Sequence, residues 1–178
     1  MPGRLRRTSH RFAFRPVGTA GRVVSAQRSI STPPCPLGRA REGFLEADSP
    51  DPFGLPAASY ARGAICVFVN STCPICDESL PFYKGLAERV DRPSAEPLVV
   101  FVSMESESTI RTYLKDGGIE GARVASVPRP FGIPGTPCIV LIDRAGRVRR
   151  SWAGRLSLRQ ERDIEALVAG NGAQWRFP

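Results

Sequence analysis

Apolar residues fall into two kinds of run along this chain. The first kind is short and unbroken: AICVFVN at 64–70, LVVFV at 98–102 and CIVLI at 138–142. These runs are rich in β-branched residues and too short for ordinary helices, so they predict strands buried on both faces. The second kind spaces its apolar residues by three and four, the repeat of a helix with one buried face. In 74–90 that face is Leu80, Tyr83, Leu86 and Val90; in 106–118 it is Ile110, Tyr113 and Leu114; in 157–168 it is Ile164, Leu167 and Val168. The helix signals agree with the spacing. Pro74 suits a first turn, Asp77 and Glu78 lie near the positive end of the helix dipole, and Gly117-Gly118 marks a stop. Ser157 and Gln160 form a capping box. Pro81 falls inside the first helix and predicts a kink.

Two shorter segments complete the pattern. ARVASV at 122–127 reads as a strand, and RVRRSWA at 147–153 pairs with 138–142 through the turn DRAG. The resulting order, β-α-β-α-β-β-α, defines an α/β fold with a central mixed β-sheet flanked by helices. The βαβ part demands parallel strands, the late hairpin adds an antiparallel edge, and helices are expected on both faces. The prolines of STPPCPLG and DSPDPFGLP make 31–59 loop-like. Order is expected to begin near Tyr60. The domain is therefore placed at 60–170, after a basic, Pro/Gly-rich, disordered tail at 1–59 and before a short C-terminal tail at 171–178.

The formal net charge of +8 suggests nucleic acid, but its distribution removes that reading. Nine arginines and no acidic residue lie in 1–41, whereas sixteen of the 25 basic residues and all 17 acidic ones lie beyond. The domain is close to neutral, and no nucleic-acid partner is expected. The tail has the Arg-rich, acid-free composition of a transit peptide, and Arg6-Arg7 loosely matches a twin-arginine signal. Arg15 and Arg22 interrupt the apolar stretch such a signal needs. No run approaches the ~20 apolar residues that span a bilayer. A cytoplasmic location is the default expectation.

The chemistry concentrates in NSTCPIC at 70–76. A strand ends, Cys73 stands at a helix start, and Cys76 follows one turn later. Free N–H groups and the helix dipole stabilise a thiolate at Cys73, the attacking species in disulfide exchange. Cys76, one turn deeper, is placed to resolve the mixed disulfide. A structural zinc site needs four ligands. The only histidine is His10, and Cys35, Cys66 and Cys138 make no second C-x-x-C, so no metal is expected. Cys66 and Cys138 read as core residues, and Cys35 as a solvent-facing thiol in the tail.

Some sixty residues on, GIPGTPC places Thr136-Pro137 at the start of a strand. Proline there is compatible with an edge or a cis bond. A cis bond turns the Thr136 backbone outward, where it can pair with an extended substrate.

Taken together, C-P-I-C after the first core strand and FGIPGTPCIVLIDRAGRV resemble the thioredoxin-like superfamily over about 60–169. Within it the chain most resembles the TlpA/ResA-type thiol–disulfide oxidoreductases. Pro81, five residues after Cys76, and the G-I-x-G-T-P block are similar to theirs. The resemblance implies one thioredoxin-like domain that exchanges disulfides with a protein partner and an upstream electron donor or acceptor. Cys73 and Cys76 would be catalytic and Thr136 and Pro137 would bind substrate. It implies a monomer with no cofactor beyond the Cys73–Cys76 disulfide, and, against the default, the periplasm or cell envelope.

Three positions depart from the family. Thr72 stands where Trp is usual, Val67 where thioredoxins proper carry a buried acid, and Ser79 where the TlpA/ResA branch often has Glu. Glu78, with a local shift, and water are the candidate proton acceptors. Two other functions remain open. A non-catalytic thioredoxin-like binding module fits the missing acid and Trp but not the intact C-x-x-C. A peroxiredoxin-type peroxidase commonly needs Thr three residues before its reactive Cys, where Asn70 precedes Cys73 and Cys73 precedes Cys76.

Overall fold

The computed structural model describes residues 40–90 and 97–169. The tail at 1–39 with His10 and Cys35, and residues 170–178, lie outside the described residues. Within them the strands are β1 (Arg41–Glu42), β2 (Ala64–Phe68), β3 (Leu98–Ser103), β4 (Arg123–Ser126), β5 (Cys138–Ile142) and β6 (Val148–Ala153). The α-helices are α1 (Pro74–Val90), α2 (Glu107–Asp116) and α3 (Leu158–Ala169). Each element predicted from the periodicity is present, with its ends within two residues of those expected.

The termini form where the sequence signals them. Ser106 caps α2, its side chain accepting from Thr109 N–H, and Gly117 N–H closes the helix on the Tyr113 carbonyl at 3.1 Å. The capping box of α3 is reciprocal. Ser157 N–H donates to Gln160 Oε1 at 2.9 Å, and Gln160 N–H donates to Ser157 Oγ at 3.3 Å. In the DRAG turn, Gly146 adopts φ +74°, and a Cβ there would sit 2.9 Å from the Tyr60 ring, so only glycine fits.

The sheet runs β1-β6-β5-β2-β3-β4. Strands β2, β3 and β4 are parallel; β5 is antiparallel to β2, and the β5–β6 hairpin is extended by β1. The two-residue period of the strands divides the core. Ile65, Val67, Val99, Phe101, Ile139, Leu141 and Trp152 face one side. Cys66, Phe68, Val100, Val102, Cys138 and Val140 face the other.

The expectation of helices on both faces does not hold. Buried residues of all three α-helices, among them Leu86, Ile110 and Ile164, belong to the first side alone. The reason is the order of the parallel strands. The crossovers β2-α1-β3 and β3-α2-β4 advance in one direction, and right-handed connections of that kind put their helices on the same face. Tyr83 of α1 packs there edge-on against Phe101, with ring centroids 6.2 Å apart. Each such fully buried large side chain contributes roughly 1.5–3 kcal/mol.

The other face is covered by irregular chain, and here the start of order also shifts. Packing begins well before Tyr60. Phe53 and Leu55 are buried, with Phe44, Leu45 and Tyr60 packed beside them, and Val127 and Ile133 come from the connector before β5. Backbone groups in this covering segment are satisfied locally. The Asp51 carboxylate accepts from Phe53 N–H at 2.9 Å and Leu55 N–H at 2.7 Å. Leu45 N–H donates to Ser151 Oγ at 3.0 Å. Prolines and glycines prevent an α-helix at 40–59, where only a 3-10 turn forms at Ala57–Ser59, but they leave its apolar side chains free to cover a sheet.

Candidate active site

The topology brings three chain segments to one end of the sheet. Strand β2 ends at Phe68, and α1 begins six residues later. Because β5 is antiparallel to β2, with Phe68 opposite Cys138, the start of β5 lies beside the end of β2. The loop after β3 reaches the same edge. Ends of parallel strands of this kind are where α/β folds place their sites.

The loop before Cys73 is held firmly. Asn70 Oδ1 accepts from Thr72 N–H at 2.9 Å and Thr72 Oγ at 2.6 Å, while the Asn70 carbonyl accepts from Cys73 N–H at 3.1 Å. Asn thus forms a side-chain turn on its own backbone. Glu105, after β3, accepts from both Ser71 N–H at 2.7 Å and Ser71 Oγ at 2.6 Å. No local pattern signals this clamp, because its partners lie 34 residues apart.

Cys73 occupies the position of a helix N-cap, with Pro74 first in α1. Its Sγ takes the place of the Ser or Asp oxygen that usually accepts from the second and third helical N–H groups. The Cys76 N–H lies 3.4 Å from Cys73 Sγ, and the Thr136 carbonyl is also at 3.4 Å. Cys73 is half-buried, whereas Cys76 is fully buried. Both are free thiols.

These surroundings separate the two acidities. The Cys73 thiol is lowered from 9.0 to about 6, first by the hydrogen bond from Cys76, against partial burial, and further by Thr136 and by the N–H groups of Cys76 and Ile75. The Cys76 thiol moves the other way. The hydrogen bond it gives to Cys73, and then its burial, hold it protonated. One sulfur is thus a thiolate at neutral pH, and its neighbour keeps the proton.

The Thr136–Pro137 bond is cis, the alternative raised by the sequence. Pro137 is buried and Thr136 is partly exposed at the edge of the site. The structure therefore brings Cys73, Cys76, Thr136 and Pro137 together. Cys138 points away, into the opposite core layer, with its thiol donating to the Gly135 carbonyl at 2.8 Å. Cys66 shares that layer.

The positions that depart from the family are also accounted for. Thr72 is exposed, and Val67 is fully buried in the layer that holds Cys76. Ser79 Oγ donates to the Ile75 carbonyl at 2.8 Å. Glu78 is not turned toward Cys76: it is half-exposed and paired with Arg155. Among the described residues, no cluster of three or more His, Cys, Asp or Glu is arranged to hold a metal ion. No described helix is long and apolar enough to cross a membrane.

No family model matches this chain, and no curated protein matches it in sequence. Solved structures do resemble it. One is a chain described as a thiol:disulfide interchange protein DsbE from Chlorobium tepidum, at 21% identity and TM-score 0.56, covering 71% of this chain and 99% of that one. Another is the thioredoxin domain of a thiol-disulfide oxidoreductase from Bacteroides vulgatus, at 17% identity and TM-score 0.52, covering 70% and 99%. A third is a thiol-disulfide isomerase from Corynebacterium glutamicum, at 17% identity and TM-score 0.51, covering 76% and 97%. At these identities the likeness is one of fold, and the fold of this chain is thioredoxin-like.

Proposed function

We propose, with the thioredoxin-like fold as premise, that this chain is a thiol–disulfide oxidoreductase acting on protein partners through Cys73 and Cys76. The observation that carries the reading is the Cys73 sulfur set as the N-cap of α1, with its acidity raised, beside a fully buried second thiol. At pH 7 a thiol of pKa about 6 is roughly nine-tenths thiolate, against about one-hundredth for an unperturbed thiol.

The reaction follows from that arrangement. The Cys73 thiolate attacks one sulfur of a partner disulfide, forms a mixed disulfide and expels the other partner sulfur as thiolate. Cys76 then loses its proton and attacks Cys73 Sγ. The Cys73–Cys76 disulfide forms, the second partner sulfur leaves, and the partner is reduced by two electrons. The reverse sequence oxidises a partner. The two sulfurs carry both electrons themselves, so the cycle calls for no organic cofactor or metal. An upstream dithiol or disulfide resets the pair. Thr136, partly exposed beside a cis proline, supplies the backbone edge on which an extended partner segment lies, with Pro137 as the wall facing Cys73. The working domain is the thioredoxin-like unit of 60–170 together with the covering segment from residue 40.

Reduction of insulin by dithiothreitol tests this reading. The wild-type chain is expected to accelerate precipitation of the insulin B chain, and Cys73→Ser to return it to the uncatalysed rate. If the two proteins behave alike, the chain is a non-catalytic binding module.

A further inference from the structure

Helices α1 and α3 begin with the same spacing and complete it differently. In α3 the capping box closes on itself. Gln160 Oε1 accepts the Ser157 N–H at 2.9 Å, and the Gln160 N–H donates to Ser157 Oγ at 3.3 Å. In α1 the same two positions are Cys73 and Cys76. Half of the box is present, because the Cys76 N–H lies 3.4 Å from Cys73 Sγ. The other half is replaced. The Cys76 thiol gives its hydrogen bond to Cys73 Sγ, and in the reaction proposed above it must be left to attack that sulfur. The Cys73 N–H goes instead to the Asn70 carbonyl at 3.1 Å.

Asn70 also shapes the chain in between. Its Oδ1 accepts from Thr72 N–H at 2.9 Å and from Thr72 Oγ at 2.6 Å, the turn that asparagine side chains form two residues on. The Ser71 N–H donates to Glu105 at 2.7 Å, so the N–H groups of Ser71, Thr72 and Cys73 are all taken. Those that meet Cys73 Sγ come from α1, at Ile75 and Cys76. Alanine at position 70 would lack the side-chain acceptor. Aspartate would supply it, but with a negative charge close to a sulfur that works as an anion. Asparagine holds the turn and stays neutral.

We infer that Asn70 is a positioning residue for Cys73: its side chain and carbonyl hold residues 70–73 in the turn that presents Cys73 Sγ to the first N–H groups of α1, and its amide does so without a charge. The inference deepens the oxidoreductase reading, which makes that sulfur the attacking group. Glu105 acts one step further back, on Ser71, and braces the loop from outside. Asn70 acts on Thr72 and on Cys73 itself.

The test is alkylation of Cys73 by iodoacetamide against pH in the reduced full chain, with insulin reduction and the melting temperature measured on the same proteins. Asn70→Ala is expected to raise the alkylation midpoint by about half to one pH unit, as Cys73 Sγ spends less time on the helix N–H groups. Its insulin-reduction rate is expected to fall about 3- to 10-fold through lost orientation. Asn70→Asp is expected to melt no lower than wild type, because the turn is kept and a carboxylate suits a helix N-terminus. Its midpoint is still expected to rise by about half a unit, through repulsion. A lower melting temperature for Asn70→Ala with both midpoints at the wild-type value marks a merely structural residue and overturns the inference. Wild-type behaviour of Asn70→Ala in all three measurements overturns it as well. Should Asn70→Ala fail to fold, Asn70→Asp carries the test, and a folded chain with the wild-type midpoint overturns it. A wild-type chain inactive on insulin overturns the oxidoreductase reading instead, and the alkylation midpoints still decide the role of Asn70.

Discussion

The two sides of the sheet each carry two described cysteines, and the contrast between the pairs separates reactivity from burial. Cys73 and Cys76 lie on the helical side at the start of α1. Cys66 and Cys138 lie in β2 and β5 on the side covered by irregular chain. Burial alone does not distinguish them, because Cys76 is as buried as Cys66. The difference lies in the donors. Cys73 receives hydrogen bonds from its neighbour thiol and from helix N–H groups, which lower its pKa. Cys66 meets apolar side chains, and burial followed by the charge of Asp51 pushes its thiol up. In the proposed reaction Cys73 is the nucleophile because it stands where α1 leaves N–H groups unpaired.

The largest test of the contrast is Cys76→Ser. With no resolving thiol, the chain is expected to accumulate a mixed disulfide with its substrate, and turnover is expected to fall at least about 1,000-fold. Non-reducing mass spectrometry would show the adduct on Cys73 alone. An adduct on Cys66 or Cys138 would break the comparison.

Cys66→Ser addresses the other side. It places a hydroxyl in an apolar layer, and a loss of about 1–3 kcal/mol of stability is expected by denaturant titration. The insulin-reduction rate is expected to stay at the wild-type level. A smaller effect is expected for Glu105→Ala, which removes the clamp on Ser71. About 1 kcal/mol of stability should be lost, with a few-fold lower rate as the loop before Cys73 loosens. An unchanged rate would mean that Asn70 alone fixes the loop.

The helical side was legible in the sequence, and the other side was not. The three-and-four spacing in 74–90, 106–118 and 157–168 belongs to helices that pack on a sheet, and a periodic face leaves a periodic record. Phe44, Leu45, Phe53, Leu55 and Tyr60 cover the opposite layer from irregular chain, which has no period to detect. The prolines of 31–59 hid four large apolar side chains, Phe44, Leu45, Phe53 and Leu55, whose number was the available signal. Within the site, Cys73, Cys76, Thr136 and Pro137 were legible because the chemistry depends on local spacing. Glu105 was not, since tertiary packing alone brings the loop after β3 to the start of α1. Glu78 was a candidate acceptor only with a local shift, and its pairing with Arg155 leaves it turned away from Cys76.

The lowered pKa of Cys73 also ties stability to pH. A folded-state value of about 6 against 9.0 for the free thiol means that Cys73 adds its full stabilisation to the reduced chain above about pH 9. That contribution is lost as pH falls through about 6. The most direct measurement of the central claim is the rate of Cys73 alkylation by iodoacetamide as a function of pH, followed by peptide mass spectrometry on the reduced chain. The account predicts a single rise with a midpoint near pH 6, while Cys66, Cys76 and Cys138 stay unmodified. A midpoint near pH 9 would contradict it.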